Sequence, residues 1–192
     1  MPPPDLTFAP ATPDRWPDVE RLFGARGGCA GCWCMWWRLP AAEWERGKGA
    51  ANKRALRRVV ATGARPGVLA YLGGEPVGWC AVAPREAYVR LEGARVLKRI
   101  DAEPVWSIVC LFVARGHRRR GVSVALLGAA AELAAASGAR IVEGYPVEPR
   151  KGAMPDAFAW TGTAAAFRAA GFVEVARGSA TRPIMRRVLA AR

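Results

Sequence analysis

The stretch from Val105 to Ser137 constrains this chain more than any other. Val105-Trp-Ser-Ile-Val-Cys-Leu-Phe-Val113 is apolar on both alternating sets apart from Ser107, the pattern of a strand covered on both faces. Ala-Arg-Gly-His-Arg-Arg-Arg-Gly121 follows at once. After it, Leu126, Leu127, Ala130, Leu133 and Ala134 recur at helical spacing until Gly138 closes the element. A buried strand feeding a long apolar helix through a glycine turn needs a sheet with helices on its faces. The turn also creates a chemical site. The first turn of a helix presents N–H groups without intrahelical partners and a partial positive charge, a cradle for phosphate oxygens. Gly121 lets the backbone approach such a ligand, Ser123 adds a hydroxyl donor, and Arg118, Arg119 and Arg120 add charge. The Walker A order and the three-glycine dinucleotide fingerprint are both missing.

The flanking segments predict a mixed α/β domain spanning residues 1–192. Leu6 to Phe8 reads as a strand, and Trp16, Val19, Leu22 and Phe23 mark one face of a helix. Gly24 to Gly31 breaks regular structure, and Ala51 to Thr62 forms a second helix. Val68 to Leu72 and Pro76 to Val82, joined through Gly73-Gly74-Glu75, form a hairpin. Arg85 to Asp101 permits a short helix. Arg140 to Tyr145 reads as a strand, Thr163 caps a helix ending before Gly171-Phe172, and Val173 to Arg177 with Ile184 to Leu189 form a last strand pair. The expected order is strand, two helices, three strands, helix, strand, helix, two strands.

Composition narrows the setting. With 192 residues, 52% of them hydrophobic, the chain can bury one core. Its start lacks the basic-then-apolar pattern of a secretion signal, and no apolar run is long enough to span a bilayer, so a cytoplasmic protein without membrane association is expected. Five cysteines, an odd number, argue for reduced thiols over a disulfide framework. The net charge of +13 suits nucleic acid, an acidic surface or a ligand with several phosphates. No recognition helix, RNA-stacking or zinc-finger signature accompanies it, so nucleic acid is not an expected partner.

The turn Arg118-x-x-Gly121-x-Ser123 resembles the CoA-binding turn of the GNAT superfamily of N-acetyltransferases, whose pattern is Arg or Gln, two residues, Gly, one residue, then Gly or Ala. The upstream run Leu111-Phe112-Val113, the order of elements, and Phe167-Arg-Ala-Ala-Gly171-Phe172 strengthen the likeness. The resemblance implies a largely antiparallel sheet of about seven strands, with acetyl-CoA as co-substrate and no metal. Leu111, Phe112, Val113 and residues Arg118 to Ser123 would hold the cofactor. Its pantetheine arm would lie where the strands near Val113 and Tyr145 splay, and a backbone N–H near Phe112 or Val113 would stabilise the oxyanion. An amine, expected to be that of a small molecule, would attack directly. A non-catalytic acyl-CoA sensor and a basic module binding nucleic acid or protein are the competing readings, and a homodimer is an open arrangement.

Many relatives carry a tyrosine acid four residues before the Gly-Phe pair. This chain has Phe167 there, which has no proton to give. Glu143 and Tyr145, two apart on one strand face, are the expected base and acid. His117, inside the turn, reads as a neighbour of the cofactor; Glu103, Glu148 and Asp156 fall in loops that could reach the site. The segment Cys29-Ala-Gly-Cys-Trp-Cys-Met-Trp-Trp-Arg38 clusters three cysteines, one ligand short of the usual zinc set. Cys80 and Cys110 read as small buried hydrophobes on strands. Trp33, Trp36 and Trp37 are candidates for the acceptor wall, through stacking and cation–π contacts, and equally for anchoring the loop to the core.

Overall fold

Two glycines set the first half of the sheet. Gly73 and Gly74 both take left-handed backbone, at φ 57° and 82°, as a two-residue type I′ turn demands. They join β2 (Gly67–Leu72) to β3 (Glu75–Pro84), with Leu72 opposite Glu75. In this computed structural model, which describes residues 2–149 and 158–190, β1 (Leu6–Pro10) pairs with β2 and β4 (Trp106–Val113) with β3, all antiparallel. β5 (Ile141–Gly144) lies parallel to β4. The hairpin of β6 (Val173–Ser179) and β7 (Arg182–Val188) completes a seven-stranded sheet in the order β1-β2-β3-β4-β5-β7-β6. The mixed, largely antiparallel sheet matches the expectation. Asp156 lies outside the described residues.

Helices cover both faces. On one side, α1 (Trp16–Phe23) buries the four apolar residues its periodicity marks, and α3 (Ala50–Ala61) buries Leu56 and Val60. Between them runs α2 (Ala41–Arg46), a short helix without buried residues or a side-chain cap, which the sequence pattern does not announce. A single turn, α4 (Val89–Glu92), follows β3. On the other face lies α5 (Val122–Ala136), with Leu126, Leu127, Ala130 and Ala134 fully buried. α6 (Ala164–Ala169) is capped by Thr163, whose Oγ1 accepts from the Ala166 N–H at 3.3 Å.

The sheet opens between β4 and β5. They pair only from Trp106–Val142 to Ile108–Gly144, and β4 then runs on to Val113 while β5 stops. Cys110 faces Ala81 and Ile108 faces Val82, so Val109 is an extra residue in β4, and such a bulge bends its strand. The segment Trp160 to Thr163 fills the inner part of the wedge. The Leu111 N–H donates to the Trp160 carbonyl at 2.7 Å, and the Val147 N–H to that of Gly162 at 2.9 Å. Phe167, fully buried, sits between Gly144 and Gly162; a Cβ added at either would come within 2.1 Å and 2.8 Å of its ring.

Candidate active site

At the end of β4 the splayed edge, the glycine turn and the cysteine- and tryptophan-rich loop enclose a cleft of about 750 Å³. The turn enters it as the start of α5. Gly121 precedes that helix at φ 74°, a left-handed position with no side-chain cap, which explains why glycine stands there. The first intrahelical bond runs from the Ala125 N–H to the Gly121 carbonyl at 3.1 Å. The N–H groups of Val122, Ser123 and Val124 therefore have no helical acceptor. Arg118 fixes the turn to the strand, its Nε donating to the Val113 carbonyl at 3.0 Å. Arg118, Arg119, Gly121, Val122 and Ser123 all line the cleft, as do Leu111, Phe112 and Val113. Arg120 is exposed and lies outside the lining. His117 also lines it, with Nδ1 buried and lacking a hydrogen-bond partner.

The tryptophans divide. Trp36 lines the cleft, Trp33 turns into the core against Trp16 and Phe23, and Trp37 lies behind the lining, its ring 5.9 Å from that of Trp160. Two rings missed by sequence reasoning complete the wall. Trp44 of α2 meets Trp36 edge-on at 4.6 Å, and Trp160 meets it at 6.4 Å. The Arg90 guanidinium covers Trp36 at 3.6 Å. Trp44 keeps its Nε1 buried and without a partner.

Glu143 and Tyr145 come together, but away from the cleft. Both are fully buried and neither lines it. One Glu143 oxygen accepts from the Tyr145 hydroxyl at 2.6 Å and from Arg85 at 3.3 Å, while the other accepts from Arg186 at 2.7 Å. Tyr145 also meets Ser107 at 2.9 Å, and Arg186 continues to Asp101 at 2.6 Å. Burial and then the neighbouring Glu143 charge push the Tyr145 phenol well above its ordinary value. Arg85, wholly buried at the end of β3, has no sequence signal separating it from a surface arginine. Glu148 pairs with Arg168 and Arg177 at 2.7 Å and 2.6 Å, outside the lining; Glu103 is exposed.

A second polar cluster does face the cleft. Cys32 and Cys34 of the loop and Cys110 of β4 all line it, while Cys29, at its rim, is exposed. Cys34 Sγ accepts from Trp79 Nε1 at 3.2 Å. The neighbouring Cys110 thiol, then the Trp79 N–H and the Arg38 charge, lower the Cys34 thiol against the effect of burial, and the neighbouring Cys34 and burial raise Cys110. Burial raises Cys32. Among the described residues no group of His, Cys, Asp and Glu could hold a metal ion, and no helix is long and apolar enough to cross a membrane.

Known structures share this arrangement of strands. An acetyltransferase of the GNAT family from Streptococcus pneumoniae superposes with a TM-score of 0.54 at 16% identity, over 96% of this chain and 99% of its own. An acetyltransferase from Thermus thermophilus does so with a TM-score of 0.50 at 23% identity, over 98% and 100%. The PaiA N-acetyltransferase of Thermoplasma acidophilum, solved in complex with coenzyme A, gives 0.51 at 11% identity, over 96% and 99%. No curated protein matches the chain. The fold is thus the one these acetyltransferases share. The model of the acetyltransferase (GNAT) family matches residues 31–155, and the chain belongs to that family.

Proposed function

We propose that this protein is an acetyl-CoA-dependent N-acetyltransferase acting on a small, flat amine. The observation that carries the reading is one cleft lined jointly by the splayed edge of β4 and the bare N-terminus of α5. The donor set fits the cofactor: three N–H groups without helical acceptors, Arg118, Arg119, the Ser123 hydroxyl and the unpartnered His117 Nδ1 suit a pyrophosphate. Acetyl-CoA would supply the activated thioester.

The edge of β4 selects among the backbone donors. The Leu111 N–H points into the wedge, where Trp160 takes it, and alternation puts Val113 on the same edge. Of the two expected oxyanion donors, Phe112 and Val113, the reading assigns Val113. Trp36, Trp44 and Trp160 would form the acceptor wall, with the Trp44 N–H as a polar contact. Trp33 and Trp37 would support that wall from behind. Glu143 and Tyr145, which the sequence pattern offers as base and acid, enter as the buried tie beneath the site, because both carboxylate oxygens already serve arginines and the phenol holds its proton tightly.

Acetyl-CoA is expected to raise the melting temperature; no shift at saturating ligand overturns the assignment. A screen of primary amines for acetyl-CoA-dependent thiol release identifies the acceptor, with planar aromatic amines expected to lead.

A further inference from the structure

We propose that Arg90 makes the acceptor site a filter against positive charge, so that the amine it takes is an uncharged, weakly basic arylamine and not an alkylammonium. The proposal rests on the reading of the cleft as an acetyl-CoA-dependent N-acetyltransferase site and adds the charge of the acceptor to it.

Two of the three indoles in the wall already carry a cation of this chain. The Arg90 guanidinium lies over Trp36 at 3.6 Å, and the Lys48 ammonium over Trp44 at 4.6 Å. An aromatic ring attracts a cation through its negative face. A second cation brought to the opposite face would stand one ring thickness from the first, and like charges repel strongly where water is scarce. Uncharged aromatic surface meets no such opposition and packs on the same rings, stacked or edge-on.

The two cations differ in weight. Lys48 is paired with the exposed Glu45, which offsets much of its field. Arg90, on α4, makes no ion pair with a described residue, and its Nη1 is buried without a hydrogen-bond partner. Glu92, on the same turn, serves Arg85 and Arg99 instead. The Arg90 N–H donates to the Trp37 carbonyl at 3.2 Å, which fixes α4 to the tryptophan loop. Arg90 is therefore the specificity-determining residue.

The rest of the wall has the same sign. Among the described residues the cleft lining holds no Asp or Glu, while Arg118 and Arg119 both line it. Trp44 Nε1, buried and without a partner, is an N–H donor. An ammonium is all donors and cannot accept from it, whereas an amine lone pair or a ring nitrogen can. An arylamine shares its lone pair with the ring and so stays unprotonated at neutral pH, ready to attack without a base. That lone pair forms the bond to the acetyl carbon, and the carbon–sulfur bond breaks with its electrons on the CoA sulfur. The surplus proton of the nitrogen ends on that sulfur, so amide and CoA thiol are the net products.

The test uses two flat probes of opposite charge state, quinoline, uncharged at neutral pH, and N-methylquinolinium. Calorimetric titration should show quinoline binding at least about 10-fold tighter, with both affinities weakened in Trp36→Ala. Equal affinities or a tighter cation overturn the filter, and so does probe binding that Trp36→Ala leaves untouched. Arg90→Gln should raise the affinity for N-methylquinolinium about 5-fold and leave that for quinoline within about 2-fold, whereas Arg90→Lys should keep the wild-type ratio. An unchanged ratio in Arg90→Gln overturns the role of Arg90. In turnover with acetyl-CoA, an aniline should exceed a benzylamine by at least about 10-fold in kcat/KM. Arg90→Gln should narrow that gap through the KM for the benzylamine, at unchanged kcat. A wild-type preference for the benzylamine overturns the proposal. A protein that separates the two probes but shows no melting shift with acetyl-CoA strikes the underlying reading alone.

Discussion

Two buried polar clusters sit on one face of the sheet, and β4 contributes to both. Around Ser107 the cluster is closed: Glu143 lies between Arg85 and Arg186, Tyr145 bridges to Ser107, and Asp101 carries the chain of charge toward solvent. Around Cys110 the cluster is open to the cleft and made of thiols, an indole N–H and a guanidinium with one idle nitrogen. The difference separates support from chemistry. A carboxylate whose two oxygens are both held by arginines, and which faces no cavity, holds strands together and is out of a substrate's reach. The thiols of the open cluster are reachable from the cavity.

The comparison breaks most sharply at Glu143. Removing it in Glu143→Ala takes the shared carboxylate from two buried guanidiniums, which keep only Glu92 and Asp101, and chemical denaturation should show a loss of about 3 kcal/mol. Any residual acetyl transfer should keep the wild-type pH profile; loss of its acid limb would move the chemistry into the closed cluster. Phe167→Tyr is the next largest. Its ring is wedged against Gly144 and Gly162, so the new hydroxyl should cost about 1–3 kcal/mol as an unmatched buried group with no gain in turnover. A gain would mean that the hydroxyl reaches the cleft.

Gly121→Val tests the phosphate turn. A β-branched residue at φ 74° should cost roughly 1–2 kcal/mol and remove the melting shift given by acetyl-CoA. The smallest expected effect is on acid stability. Asp101 and Glu148 are held below the ordinary carboxylate value by hydrogen bonds from Arg186 and from Arg177 and Arg168. Groups so lowered contribute fully above their unfolded value, and the contribution disappears as pH falls through the folded one. Melting temperature should therefore decline modestly below about pH 4, and less so in Asp101→Asn.

Most of the architecture was legible because it rests on local signals: period two in β4, helical spacing in α1 and α5, and a glycine pair between β2 and β3. α2 carried no such signal, being six residues long without a cap, and with it Trp44 was missed. The glycine turn at the start of α5 was legible for the same local reason, except that Arg120 lies outside the cleft lining. The two polar clusters were not. Glu143 and Tyr145 do share a strand face, but Arg85 and Arg186 reach them from distant segments, and only packing reveals which arginines are buried. Cys110 read as a small buried hydrophobe and Cys34 as one of three clustered cysteines, and only the folding of the loop onto β4 brings both to the cleft.

Trp160 has a consequence that spans both substrates. Its carbonyl holds the Leu111 N–H on the edge proposed for the cofactor, while its ring stands against Trp36 and Trp37 on the side proposed for the acceptor. If both proposed sites hold, one residue is shared by two binding surfaces, and a molecule that moves the ring also strains the strand rung. Thermodynamic linkage makes such a coupling reciprocal: whatever an acceptor does to the affinity for acetyl-CoA, acetyl-CoA does equally to the affinity for the acceptor.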